Sequence, residues 1–146
     1  MELKKLLRGV ELFGGLTDAE LGEIGNICQE KRVSRGEYLA VEGKKGDDLF
    51  IITEGAVEVL VGEEQGSPKV LINLGTGQLI GEMSLVDQGP RSASVRAIQD
   101  PTIVQVIHHR DFHALCQRNT HIGYVVMFNM AADLSFKLRH RNLSEG

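Results

Sequence analysis

A chain of 146 residues carries one hydrophobic core and is too short for two ordinary domains, and 42% apolar with 25% charged residues describes a soluble globular protein rather than a disordered one. The net charge of −4 excludes the basic surplus of a general nucleic-acid binder. No run approaches the roughly 18 apolar residues of a membrane span, and Arg8 and Glu11 interrupt any secretory apolar segment before Leu16, so the expected location is the cytoplasm.

Thr17-Asp18-Ala19-Glu20 is a capping box, and Leu21, Ile24, Ile27 and Cys28 follow at helical spacing. This predicts a helix over 17–29, with Leu12, Phe13 and Leu16 packing before it and Cys28 on its apolar face. Cys28 and Cys116 are the only cysteines; they lack metal-ligand spacing and predict neither a zinc site nor a disulfide. From Lys31 the pattern changes to short segments cut by glycines, which predicts strands over 31–107. Leu49 to Ile52 reads as a buried strand, Val57, Val59 and Val61 alternate with Glu58 and Leu60, and Val70, Ile72 and Leu74 alternate likewise. Ile103 to Ile107 reads as the last strand. The expected architecture is mainly β with flanking helices, a jelly-roll β-roll (double-stranded β-helix) with an N-terminal helix and C-terminal helices, in a single domain over 1–146.

Two helices close the chain, over 110–118 and 121–141. On the longer one Tyr124, Met127, Ala131, Leu134 and Leu138 recur at spacings of three and four, a heptad-like seam for a second subunit. Ile122, Val125, Val126 and Phe136 supply another apolar face. A single, broadly buried helix in a monomer is the other reading of this pattern. Lys137, Arg139, His140 and Arg141 suit the negative end of the helix dipole better than they suit a nucleic-acid patch.

The most informative stretch runs from Gly81 to Val95. It opens on Gly81-Glu82, passes through one helical turn and delivers Arg91 nine positions after the glutamate. A helix start presents unpaired N–H groups to an anion, Arg91 adds a planar fork of donors for phosphate oxygens, and Glu82 can accept from a sugar hydroxyl. These are the parts needed to hold a ribose phosphate. A plain surface ion pair between Glu82 and Arg91 is the competing reading.

This stretch resembles the phosphate-binding cassette of the cyclic nucleotide-binding domain family. Leu12-Phe13-Gly14-Gly15-Leu16, Gly36-Glu37-Tyr38-Leu39, Glu42-Gly43, Gly46-Asp47 and Leu49 to Gly55 are similar to the entry segment, early turns and strand of that family. The resemblance covers about 12–141. It implies a β-roll that binds cyclic AMP or cyclic GMP as ligand, with no resident cofactor or metal and no catalytic residue. By position, Glu82 would accept from the ribose 2′-hydroxyl and Arg91 would pair with the cyclic phosphate. Gly81 opens the turn, and backbone N–H groups near Met83 and Ser84 and from Ser92 complete the cradle. In a bacterial relative a threonine on the long helix reads adenine; here Lys137 stands at that place, with Ser135 nearby, and a charged lysine cannot accept a hydrogen bond. The expectation leans to cyclic AMP over cyclic GMP. Leu85 and Phe112 match the hinge positions whose repacking swings the helices.

The expected function is therefore a cyclic nucleotide-binding regulatory module that moves its C-terminal helices to signal, as a homodimer or to a separate effector protein. A dimerisation or docking domain that ignores nucleotide is the alternative. A cupin-type metal enzyme is disfavoured, because His108 and His109 are adjacent and no His-x-His occurs among the five histidines. Eight residues follow Leu138, too few for a helix-turn-helix, so direct DNA binding is not expected.

Overall fold

The computed structural model of the chain describes residues 2–145. In chain order the strands are β1 (Cys28–Val33), β2 (Tyr38–Ala40), β3 (Asp48–Glu54), β4 (Val57–Val61), β5 (Lys69–Leu74), β6 (Leu79–Ile80), β7 (Ser94–Ala97) and β8 (Thr102–His108). They form two four-stranded sheets, ordered β1-β8-β3-β6 and β2-β7-β4-β5, with every pairing antiparallel. Apart from the β4–β5 hairpin, successive strands cross between the sheets, which is the expected jelly roll. Helices α1 (Leu3–Arg8), α2 (Asp18–Asn26), α3 (His109–Arg118) and α4 (Thr120–Glu145) flank it.

The continuous apolar run in β3 has a physical reason. With a period of two, Phe50 and Ile52 enter the core between the sheets, alongside Val33, Val57, Val95 and Val104. Leu49 and Ile51 enter a second core under the helices, with Leu7, Ile24, Phe112 and Ile122. A strand covered on both faces needs no polar alternation.

Several expectations change. The first long helix ends at Asn26 rather than near residue 29, and Cys28 opens β1 instead of lying on the helix. Gly22 and Gly25 weaken the last turns, and pairing of Cys28 with Ile107 takes over. Burial pushes the Cys28 thiol up to about 12, so it is inert, and both cysteines are free. In β4 a bulge between Val59 and Leu60 breaks the alternation, and Leu60 becomes fully buried. In the edge strand β5, Val70, Leu71 and Ile72 are each about half exposed, so the alternation there marks no buried face. Of the adjacent histidines, His108 ends β8 and His109 begins α3.

The capping box forms: the Glu20 N–H donates to Thr17 Oγ1 at 3.1 Å and the Thr17 N–H to Glu20 Oε1 at 3.0 Å. Glu20 also ties the root of α4, accepting from Asn119 Nδ2 at 3.2 Å and meeting His121 Nδ1 at 2.8 Å. The Thr17 N–H first, then His121 and Asn119, hold its carboxyl below the ordinary value of 4.5. A lowered folded-state value stabilises above pH 4.5 and is lost as pH falls through it. Glu20→Gln should therefore cost about 1–2 kcal/mol at pH 7, with the gap to the parent closing below pH 4. Urea unfolding over that pH series checks this; two parallel curves would contradict it.

On α4, Ile122, Val126 and Met130 are buried against the domain, and Asn129 Nδ2 donates to the Leu12 and Gly14 carbonyls at 3.0 and 2.8 Å. Tyr124, Met127, Ala131, Leu134 and Leu138 all face outward as an exposed stripe. Phe136, expected on one apolar face with Ile122 and Val126, is instead exposed and packs on His140.

Candidate functional site

The cassette begins where β6 ends. Gly81 takes φ 76°, a left-handed conformation that a side chain resists, and a short 3-10 turn follows over Glu82–Leu85. A Cβ on Gly81 would lie 2.2 Å from Arg91 Nη1 and 3.0 Å from the Asp48 carbonyl, so glycine serves both the turn and the close approach. Ser84 fastens this turn: its N–H donates to the Gly81 carbonyl at 3.0 Å and its hydroxyl to the Asp48 carbonyl at 2.7 Å. In this arrangement the Ser84 N–H is committed within the turn.

The returning segment is laced to the loop before β3. Gly89 N–H donates to Asp87 Oδ1 at 2.9 Å, Arg91 N–H to the Lys44 carbonyl at 2.8 Å, and Gly43 N–H to the Arg91 carbonyl at 2.8 Å. Pro90, which donates no N–H, bridges to Lys45 just before the arginine. The Arg91 side chain then lies across Gly46, where a Cβ would be 2.1 Å from Nε. Two loops thus aim one guanidinium into the cassette.

Arg91 Nη2 donates to the Asp48 carbonyl at 3.0 Å and Nη1 to Ser84 Oγ at 3.3 Å, and Cζ stands 5.7 Å from the Phe50 ring centroid. Burial lowers its pKa, opposed by the charges of Asp48 and Asp47, and a guanidinium in a protein stays charged. Its hydrogen-bond partners are neutral, and among the described residues it forms no salt bridge. Glu82 is not paired with it; its Oε1 lies 3.6 Å from Lys137 Nζ instead. A half-buried guanidinium whose direct hydrogen bonds all go to neutral acceptors, with Asp47 and Asp48 acting only through their charge, is a site that an anion in direct contact completes.

All six residues singled out in the sequence, Gly81, Glu82, Met83, Ser84, Arg91 and Ser92, line one cavity of about 390 Å³. That volume lies within the roughly 300–1,000 Å³ of small-molecule sites. Arg91 also borders a cavity of about 300 Å³ reaching toward Tyr38, Leu39 and Phe50 in the roll. Glu82 borders a groove of about 730 Å³ running beneath α4 past Leu74 and Asn129. Arg91 and Glu82 therefore share one cavity, with one further space toward the roll beside Arg91 and another beneath α4 beside Glu82.

The expected hinge residues are brought together: Leu85 and Phe112 are 5% and 2% exposed in the core under the helices, with Leu115 and Ile122. Sequence reasoning missed a second link. His109 Nδ1 lies 3.0 Å from the Ser84 carbonyl; because a carbonyl only accepts, the ring carries its proton there. Nor did any side-chain pattern signal the Asp48 carbonyl, since a backbone acceptor has no sequence signature. His108, His109 and His113 line a separate cavity of about 530 Å³. Among the described residues no group of three or more His, Cys, Asp or Glu side chains could hold a metal ion, and no helix is long and apolar enough to cross a membrane.

Residues 30–119 match the model of the cyclic nucleotide-binding domain. The chain is similar to the Cyclic AMP receptor protein of Thermus thermophilus, with 32% identity over 94% of this chain and 61% of that protein. It is also similar to the cAMP-dependent protein kinase regulatory subunit of Mycosarcoma maydis, with 37% identity over 64% of this chain and 18% of that one. The chain thus spans only part of the length of these relatives. Its fold matches the N-terminal domain of a transcriptional regulator from Streptomyces coelicolor A3(2) with a TM-score of 0.83 and 29% identity, covering 97% of this chain and 95% of the other.

Proposed function

This chain belongs to the cyclic nucleotide-binding domain family, and from that premise we propose that it senses a cyclic nucleotide and reports it by moving its C-terminal helices. One observation carries the reading: Arg91 is a half-buried cation whose hydrogen-bond partners are all neutral, in the same cavity as Glu82. A cyclic phosphate supplies the negative charge in direct contact that the guanidinium lacks. Glu82 accepts from the ribose 2′-hydroxyl, and N–H groups from Met83 and Ser92 line the phosphate, while Gly81 keeps the approach open. The base extends into the groove beneath α4.

Cyclic AMP is the proposed ligand in preference to cyclic GMP, supported by similarity over nearly the whole chain to a protein named for cyclic AMP reception. The module has no catalytic role; it acts in the cytoplasm through a homodimer joined along the outward stripe of Tyr124, Met127, Ala131, Leu134 and Leu138, or through a separate effector protein. A docking domain indifferent to nucleotide would leave Arg91 half buried with no anion in direct hydrogen-bonded contact, which disfavours it. Equilibrium dialysis of ligand-stripped protein against labelled cyclic AMP and cyclic GMP is the test. Saturable, one-to-one uptake with tighter cyclic AMP is expected; no uptake of either would end the sensor reading, and tighter cyclic GMP would reverse the base preference.

A further inference from the structure

Glu82 meets an ammonium of its own chain. Lys137 Nζ lies 2.8 Å from Asp133 Oδ2, one turn earlier on α4, and 3.6 Å from Glu82 Oε1 in the cassette. An i,i+4 pair with Asp133 alone would keep Lys137 on the surface of its own helix. Its reach to Glu82 bridges the C-terminal helix and the cassette across the groove beneath α4. Asp133 first, with Glu82 adding, holds the lysine above its usual range, so it is cationic throughout neutral pH.

We propose that Lys137 sets nucleotide affinity by occupying Glu82 in the ligand-free chain, so that the ribose 2′-hydroxyl and the ammonium compete for one carboxylate. The inference rests on Glu82 being the ribose acceptor, as proposed above. An ammonium beside a carboxylate weakens it as an acceptor for a neutral hydroxyl, and this one also stands at the mouth of the groove. Displaced, it keeps Asp133 as partner, so only the longer of its two contacts is lost. The Lys137 side chain is 60% exposed and that of Glu82 30%, and pairs this accessible are weak. The competition is therefore modest, but it reaches α4 directly: when the ribose takes Glu82, the turns carrying Leu134 and Leu138 lose their tie to the cassette.

Titration calorimetry on the parent and on Lys137→Ala, with cyclic AMP and with 2′-deoxy cyclic AMP, tests this. Lys137→Ala should bind cyclic AMP about two- to fivefold tighter, and the gain should vanish with the 2′-deoxy nucleotide, which brings no hydroxyl to Glu82. Lys137→Met, which keeps most of the length without the charge or the donor, should share the gain. Unchanged or weaker cyclic AMP binding by Lys137→Ala would overturn the proposal and leave the sensor reading intact, as would an equal gain with both nucleotides. Absence of uptake by parent and variants alike would remove both.

Discussion

Arg91→Ala should lose cyclic nucleotide affinity by about 2–3 kcal/mol, roughly 30- to 150-fold, the lower part of the range for truncating one member of a buried, hydrogen-bonded charge pair. The lower part applies because the guanidinium is only half buried. Arg91→Lys keeps the charge but loses the planar fork that reaches the Asp48 carbonyl and Ser84 Oγ together, so it should recover part of the loss and not all of it. The ligand-free fold should hardly notice either change. Arg91 contributes two hydrogen bonds to neutral acceptors, and burial already opposes its charge. Calorimetry with cyclic AMP and urea unfolding on the same samples separate the two effects. Near-parent affinity in Arg91→Ala would remove the cation from the site, and a collapse in stability would make it a structural residue.

Glu82 offers an internal comparison. Its loss removes a hydrogen bond from a neutral hydroxyl and also releases Lys137, two effects of opposite sign on affinity. Arg91 has no such compensating partner, which is why its removal carries the larger expected effect.

The parts of this molecule legible in the sequence are those written in side chains. The capping box at Thr17 and Glu20, the Leu49–Ile52 strand and the cassette from Gly81 to Ser92 each rest on local rules that tertiary packing reinforces. Harder to read were features decided by neighbours. Whether Val70 and Ile72 are covered depends on what lies over an edge strand, and the bulge between Val59 and Leu60 that buries Leu60 is announced by no alternation. The end of α2 is not legible, because Ile27 and Cys28 continue a helical spacing that strand pairing with β8 overrides. In the site, the carbonyl of Asp48 and the reach of Lys137 to Glu82 join residues far apart in the chain. Contacts of that kind follow from topology, not from spacing.

Topology also decides the second large effect, at Phe112. Its ring is buried on α3 in the same cluster as Leu85 of the cassette turn and Ile122 of α4. Three elements that must move relative to one another, if nucleotide is to shift α4, share this one packing site. Phe112→Ala should destabilise the fold by about 3–5 kcal/mol, since the surrounding side chains close a ring-sized cavity only in part. Phe112→Leu, closer in volume, should cost under about 1.5 kcal/mol and keep the protein folded for functional work. Arg91 and Glu82 lie outside this cluster, so nucleotide should still bind Phe112→Leu. What should change is the response of α4. A ligand shifts a helix only by the difference in its affinity for the two arrangements, and a smaller side chain packs less selectively in either. Spin-label distances between the cassette and α4, with and without cyclic AMP, should therefore show a reduced shift in Phe112→Leu. The His109 bond to the Ser84 carbonyl remains as a second link between cassette and α3, so the shift should diminish rather than disappear. A full parent-sized displacement in Phe112→Leu would mean that the signal passes through that bond, or through Lys137, and that Phe112 is core and nothing more.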